Sequence, residues 1–114
     1  MFEYFNKKDH LKEATSYLRV YGKDLIRVEV IFKGYVQGVG FRYETYNLAN
    51  ELGLSGYVLN LSNGGVKAQV QGEAFKVYYL IESLKKLKRA DVRQVSINNI
   101  SLLDDEKNFS IYYA

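Results

Sequence analysis

The junction between a strand-like segment and a helix-like segment holds three glycines in seven positions and constrains the fold more than any other part of the chain. Before the junction, every even-numbered residue from 26 to 32 is apolar and most odd-numbered ones are polar, which is the period of a strand with one buried face. After it, one helical face recurs at steps of four, three and four from Phe41 to Leu52, and Gly53 is placed to end that helix. The sequence therefore predicts a strand, a glycine-rich loop and a helix.

The loop itself has the composition of an anion-binding loop. Glycines allow successive backbone N–H groups to point towards one place at a helix N-terminus, and Arg42 would lie beside them. A guanidinium can hold two phosphate oxygens at once and does not lose its charge. The same residues could instead form a plain strand-to-helix turn with Arg42 on a solvated helix face. The candidate cradle consists of the backbone N–H groups of Gln37, Gly38, Val39, Gly40, Phe41 and Arg42.

The remaining chain alternates between strand and helix periods. Strands are predicted over about 55–61, 66–72, 92–97 and 109–113, a tight turn at Ser62–Gly65, and an amphipathic helix over about 77–87. The order is strand–helix–strand–strand–helix–strand, followed by a terminal strand. We predict an α+β protein with a ferredoxin-like two-layer α/β sandwich (βαββαβ plus a short C-terminal strand), in which two helices cover one face of a mainly antiparallel sheet.

The first two dozen residues lie outside this pattern. They begin as a polar, irregular stretch, and then Leu11, Ala14, Leu18 and Tyr21 recur at helical spacing before Gly22. This spacing leaves open a short amphipathic helix or a loose extension. We therefore divide the chain into an N-terminal extension over 1–24, partly helical or disordered, and a folded domain over 25–114.

Composition excludes several kinds of site. The chain of 114 residues is long enough for one domain with its own core, and it has no cysteine, which excludes disulfides, thiolate metal sites and cysteine nucleophiles. Its single histidine, His10, rules out a His-rich metal site. No apolar run could span a membrane and no secretion signal follows the start, so we expect a cytoplasmic protein.

The net charge of +3 favours a small anionic ligand but falls short of the dense basic stripe of a nucleic-acid-binding protein. The nearest approach to such a stripe is a run of four cations, which falls where the second helix should end. We interpret it as charge that complements the helix dipole. The run consists of Lys85, Lys86, Lys88 and Arg89.

Two separated motifs carry a resemblance to a known family. Gly34-Tyr35-Val36-Gln37-Gly38-Val39-Gly40-Phe41-Arg42 resembles the first signature of the acylphosphatases. The second signature has its counterpart in Gly56-Tyr57-Val58-Leu59-Asn60, followed by Gly65-Val66-Lys67 and Gly72. The spacing from Arg42 to Asn60 also matches the family. The resemblance covers roughly residues 25–113.

This resemblance implies hydrolysis of acyl phosphates to a carboxylate and inorganic phosphate, without metal or cofactor. Arg42 and the loop would hold the phosphoryl group, and Asn60 would orient the attacking water. Taken alone, Asn60 favours a turn-forming role at a strand end, and only the motif context favours the functional one. We further expect inorganic phosphate as product and inhibitor, a monomer, and no nucleic-acid or membrane partner.

Two other functions remain open from the sequence. The first is a non-catalytic phosphate- or anion-binding module of the same fold, of the kind that occurs inside the hydrogenase-maturation carbamoyl transferases. The second is an RNA-binding domain of similar strand order, which would need exposed aromatic side chains on its central strands. The strand aromatics Phe32 and Tyr57 do not form that stacking motif.

Overall fold

The computed structural model describes the backbone of residues 7–113 and the side chains of residues 9–113. It confirms the predicted fold class: a five-stranded sheet with helices packed on one face. The helices are α1 (Lys7–Ala14), α2 (Leu18–Tyr21), α3 (Phe41–Glu51) and α4 (Ala74–Lys85), with a 3-10 turn at Thr15–Tyr17. The strands are β1 (Leu25–Tyr35), β2 (Ser55–Asn60), β3 (Val66–Glu73), β4 (Asp91–Ile100) and β5 (Phe109–Tyr112).

The strand order in the sheet is β4-β1-β3-β2-β5. β1 pairs antiparallel with both β3 and β4, and β2 pairs antiparallel with β3. The terminal strand β5 pairs parallel with β2, which makes the sheet mixed. This order brings the C-terminal end of the described chain beside the end of β2 and the start of α3.

The core lies between the sheet and the helices α3 and α4. The predicted inward face of β1 is buried, with Val28, Val30 and Phe32 no more than 1% exposed. Phe32 meets Phe41 edge to face at a centroid distance of 5.0 Å. Because Phe41 opens α3, this contact fixes the start of the helix against the sheet.

One residue of the predicted polar face of β1 is also buried. Arg27 is 1% exposed because the loop between β4 and β5 crosses that face of the sheet. Its guanidinium donates to Glu106 Oε1 at 2.6 Å, and further to the side-chain oxygens of Gln69 and Gln71. Gln71 in turn donates to the carbonyl of Leu103 at 2.9 Å. A strand period shows which face a residue lies on but not that a distant loop will cover it.

The N-terminal segment packs on α4. Ala14 is fully buried, and Leu11 and Leu18 lie against the core. The backbone carbonyls of Gly22 and Asp24 accept hydrogen bonds from the first N–H groups of α4, at 3.0 and 2.9 Å. These bonds satisfy donors that a helix leaves free at its start. The expectation for residues 1–6 lies outside the described residues, and the division at residue 25 stays a prediction.

Within residues 7–113, no helix is long and apolar enough to cross a lipid bilayer.

Candidate active site

A small pocket lies at the N-terminus of α3, where the glycine-rich loop, the end of β2 and the residue after β5 meet. Its volume is about 140 Å³. The structure brings Arg42 and Asn60 together there, as the motif spacing predicted. The pocket is lined by Val36, Gly38, Gly40, Phe41, Arg42, Tyr43, Asn60 and Tyr113.

The loop turns on two glycines in the left-handed region. Gly38 and Gly40 have φ values of 77° and 78°, a conformation that L side chains rarely adopt. In the described part of the chain, no turn or loop hydrogen bond is donated by the backbone N–H groups from Gln37 to Arg42. Since the first N–H groups of a helix lack partners within it, these donors are available to an anion.

Two residues of the predicted cradle do not line the pocket. The side-chain amide of Gln37 donates to the carbonyls of Leu61 and Gly65, at 2.7 and 2.8 Å. Val39 packs against the core. Gln37 thus ties the loop to the turn that follows Asn60, and its side chain has a structural contact that the motif alone did not indicate.

Arg42 is half-buried and has few protein partners. Its Nη1 donates to the backbone carbonyl of Tyr112 at 3.1 Å, and its guanidinium carbon lies 4.7 Å from the centroid of the Tyr113 ring. Among the described residues, its guanidinium forms no salt bridge with a carboxylate. Most of its donors therefore have no acceptor among the described residues and could bind an anion.

Asn60 ends β2, and its side chain reaches the pocket. Its Oδ1 is buried and accepts no hydrogen bond from any described residue. A buried polar oxygen without a partner is unfavourable unless water or a ligand donates to it. The geometry thus favours a bound water or ligand at Asn60 over a purely turn-forming role.

Arg89 is a site-related residue that the sequence analysis missed. α4 ends at Lys85, and Arg89 lies beyond it and contacts the glycine-rich loop and α3. Its Nε donates to the carbonyl of Val39 at 3.1 Å, and its Nη2 pairs with Glu44 in the first turn of α3. No local pattern links residues 39, 44 and 89, because the contact spans 50 positions.

Besides Asn60, the second motif contributes a glycine that allows two strands to approach closely. Gly56 in β2 has φ of 138°, and a Cβ there would overlap the carbonyl oxygen of Gln69 in the neighbouring strand. Only glycine fits this close approach. The motif glycine is therefore explained by strand packing.

The fold and pocket define a class: small α+β proteins with a glycine-rich loop at a helix N-terminus. The acylphosphatase family profile matches residues 28–111. The acylphosphatase of Clostridium beijerinckii is 42% identical over 90 residues, which cover 78% of this chain and 100% of that protein. The crystal structure of acylphosphatase from Bacillus subtilis aligns with a TM-score of 0.73 and 31% identity, covering 79% of this chain and 100% of that one. The chain belongs to the acylphosphatase family.

A second kind of structural neighbour is much longer. Full-length HypF, solved in a phosphate- and nucleotide-bound form, aligns with a TM-score of 0.72 and 26% identity. The alignment covers 80% of this chain but only 12% of HypF. The same fold therefore also occurs as a small part of a larger protein.

Proposed function

We propose that this protein hydrolyses acyl phosphates to a carboxylate and inorganic phosphate, using Arg42, the loop N–H groups and Asn60 without a metal ion. One observation carries the proposal. Three features border one pocket of about 140 Å³: a guanidinium with one described acceptor, loop residues whose N–H groups have no described acceptor, and a buried amide oxygen without a described donor.

The reaction needs little beyond orientation and positive charge. The water oxygen attacks phosphorus in line, the bond from phosphorus to the acyl oxygen breaks, and the carboxylate leaves with that electron pair. The proton of the water passes to a phosphate oxygen. A carboxylate leaves without protonation, so no strong general acid is needed. Charge spread over the equatorial oxygens is what Arg42 and the N–H groups would stabilise.

Asn60 would hold the attacking water rather than take its proton. A side-chain amide both donates and accepts hydrogen bonds, so it can bridge a water and a phosphate oxygen, but it is a very weak base. Its Oδ1 is buried at the pocket and has no described donor, which supports this role.

Arg89 would act on the loop rather than on the substrate. In a trans peptide, the C=O of Val39 and the N–H of Gly40 point in opposite directions. Because Arg89 holds that carbonyl and does not line the pocket, the N–H of Gly40 points away from Arg89. This orientation supports Arg89 as a positioning residue for the cradle.

The test is hydrolysis of benzoyl phosphate in a chelator-treated buffer. We expect wild-type turnover to survive chelation and inorganic phosphate to inhibit competitively. Asn60→Ala should lower kcat about 100-fold with little change in KM, since water orientation matters mostly in the transition state. Asn50→Ala, at an exposed residue near the end of α3, is the matched control.

Two outcomes would contradict the proposal in different ways. If the folded wild type binds phosphate in calorimetry but does not hydrolyse the substrate, the non-catalytic anion-binding module is the better function. If Asn60→Ala keeps full kcat, the water is held elsewhere. The RNA-binding alternative loses support because Phe32 is buried in the core. A monomer, a cytoplasmic location and the absence of nucleic-acid partners stay predictions.

A further inference from the structure

We propose that a polar cavity between the N-terminal segment and α4 binds a small zwitterion, a molecule with one ammonium and one carboxylate group, as in a free α-amino acid. The cavity has a volume of about 390 Å³, and small-molecule sites typically measure about 300–1,000 Å³. It shares no lining residue with the pocket at Arg42, so this proposal does not rest on the proposed function. The cavity is lined by Glu13, Ser16, Tyr17, Tyr79, Ser83 and Lys86.

Half of the cavity wall lies outside the part of the chain that matches the acylphosphatase profile. That match covers residues 28–111, whereas half of the lining residues come from the N-terminal segment before it. The opposite wall comes from α4, where Tyr79, Ser83 and Lys86 recur at steps of four and three. This spacing places them on one face of the helix and of the residue that follows it. The cavity therefore exists only because the N-terminal segment packs on α4.

Two tyrosine rings form a fixed wall of the cavity. Tyr79 is 5% exposed, and its hydroxyl donates to Glu13 Oε2 at 2.8 Å and lies 2.6 Å from Nδ1 of His10. The ring of Tyr17 meets that of Tyr79 edge to face at a centroid distance of 5.5 Å, and it stacks on the ring of Tyr21 at 6.0 Å. Because these contacts hold both rings in place before a ligand binds, little side-chain entropy is lost on binding.

The cavity carries one negative and one positive side chain that do not pair with each other. Lys86 forms no ion pair with a carboxylate in the described part of the chain. One carboxylate oxygen of Glu13 accepts from Tyr79, which leaves the second oxygen to a ligand. A ligand with a single charge would be attracted by one of these side chains and repelled by the other. A zwitterion complements both charges.

Each end of a zwitterion has suitable partners on one side of the cavity. The hydroxyl of Ser16 donates to the backbone carbonyl of Glu13 at 2.7 Å, so its oxygen can accept from an ammonium group beside the Glu13 carboxylate. The face of a tyrosine ring also attracts a cation. On the α4 side, the hydroxyl of Ser83 and the ammonium of Lys86 are donors for a carboxylate. The ammonium of the ligand would thus face the N-terminal segment, and its carboxylate would face α4.

The experiment is isothermal titration calorimetry of the full chain with three probes that differ in charge. L-Phenylalanine carries both charges, L-phenylalanine amide carries only the ammonium, and N-acetyl-L-phenylalanine carries only the carboxylate. The titrations are run at about pH 6, where α-amino groups are protonated and carboxyl groups are ionised. We expect L-phenylalanine to bind about tenfold more tightly than either analogue, because each analogue leaves one charged side chain of the cavity without a partner.

Two variants test which side chain recognises which charge. Glu13→Gln keeps an acceptor for Tyr79 and should abolish the preference for L-phenylalanine over the N-acetyl compound, but not over the amide. Lys86→Met should have the reverse effect. The matched control is Lys85→Met, because Lys85 pairs with Glu82 and does not line the cavity. Its affinities should equal those of the wild type.

Three results would overturn the proposal. The folded wild type could bind none of the three probes at millimolar concentrations, or it could bind all three equally. Equal losses of affinity in Lys85→Met and Lys86→Met would place the binding outside the cavity. Hydrolysis of benzoyl phosphate should be unchanged in Lys86→Met, so a failure of this proposal is distinguishable from a failure of the proposed function.

Discussion

Two arginines on different sides of the sheet show how the same side chain is used for structure and for binding. Arg27 is 1% exposed and donates to Glu106, Gln69 and Gln71. Arg42 is half-buried and donates to one described acceptor, the backbone carbonyl of Tyr112. Among the described residues, the donors of Arg27 thus have acceptors and most of those of Arg42 do not.

This difference predicts that Arg27 contributes mainly to stability and Arg42 mainly to function. Removing one partner of a buried ion pair leaves the other charge unpaired and destabilises the fold. Removing a guanidinium that has few protein partners should disturb the fold little and should remove the charge that a ligand would meet. A single carboxylate, Glu106, accounts for much of the contrast, because it neutralises Arg27 at 2.6 Å, while the described residues that line the pocket include no carboxylate.

The largest effect is expected for Arg42→Ala. The kcat/KM for benzoyl phosphate should fall about 1,000-fold, as is typical for an arginine that stabilises a transferring phosphoryl group. The free energy of unfolding, measured in urea, should change by less than about 1 kcal/mol. Full activity in this variant would show that the contrast with Arg27 is mistaken.

The reciprocal change is Arg27→Met, which leaves Glu106 unpaired against the sheet. We expect the free energy of unfolding to fall by about 3 kcal/mol, with kcat/KM of the folded protein within twofold of the wild type. Glu106→Gln keeps an acceptor for Arg27 and should be destabilised less. A fall in activity without a loss of stability would assign Arg27 to the site instead.

Arg89 sharpens the comparison, because it contacts both the loop and a carboxylate. In Arg89→Ala, the inhibition constant of inorganic phosphate should rise about fivefold while kcat changes less, since the loop N–H groups lose their orientation. Arg89→Lys should recover part of the affinity by pairing with Glu44. The control is Arg93→Ala, at an exposed arginine paired with Asp91. If Arg89→Ala and Arg93→Ala changed the inhibition constant equally, the positioning role of Arg89 would be excluded.

The smallest effect concerns a polar cluster that resembles the one around Arg27. Burial, reinforced by the hydrogen bond to Glu13, raises the pKa of Tyr79 from 10.0 to about 12. The folded protein therefore holds the phenol proton more tightly than the unfolded chain, so this stabilisation is present below pH 10 and is lost as the pH rises towards 12. The melting temperature of Tyr79→Phe should therefore fall less steeply over that pH range than the melting temperature of the wild type. A Tyr35→Phe control should keep the wild-type slope.

The sequence was sufficient to predict the parts of the fold that depend on patterns among neighbouring residues. The period of β1, the glycine-rich loop and the face of α3 each follow from neighbouring residues, and the structure has all three. The proximity of Arg42 and Asn60 was predicted from two motifs whose spacing matches that of the acylphosphatase family. The structure places both residues at one pocket.

The parts that could not be predicted depend on contacts between distant residues. The cover over Arg27 comes from Glu106, 79 positions away, and the hold on Val39 comes from Arg89, 50 positions away. Tyr113 reaches the pocket, where its ring lies against the guanidinium of Arg42, only because β5 pairs parallel with β2. None of these contacts leaves a period or a spacing in the sequence, since each is decided by the path of a loop over the sheet.

Residues 101–113 supply contacts on two sides of the molecule, and these contacts can form only after this segment has been synthesised. It supplies the acceptor of Arg27 on one face and the carbonyl that Arg42 contacts, 70 positions away, at the pocket. Until that segment leaves the ribosome, β2 has no partner on its outer side and presents an open edge, which invites pairing with other chains. Emergence of β5 is therefore the step that both completes the pocket and covers the outer side of β2.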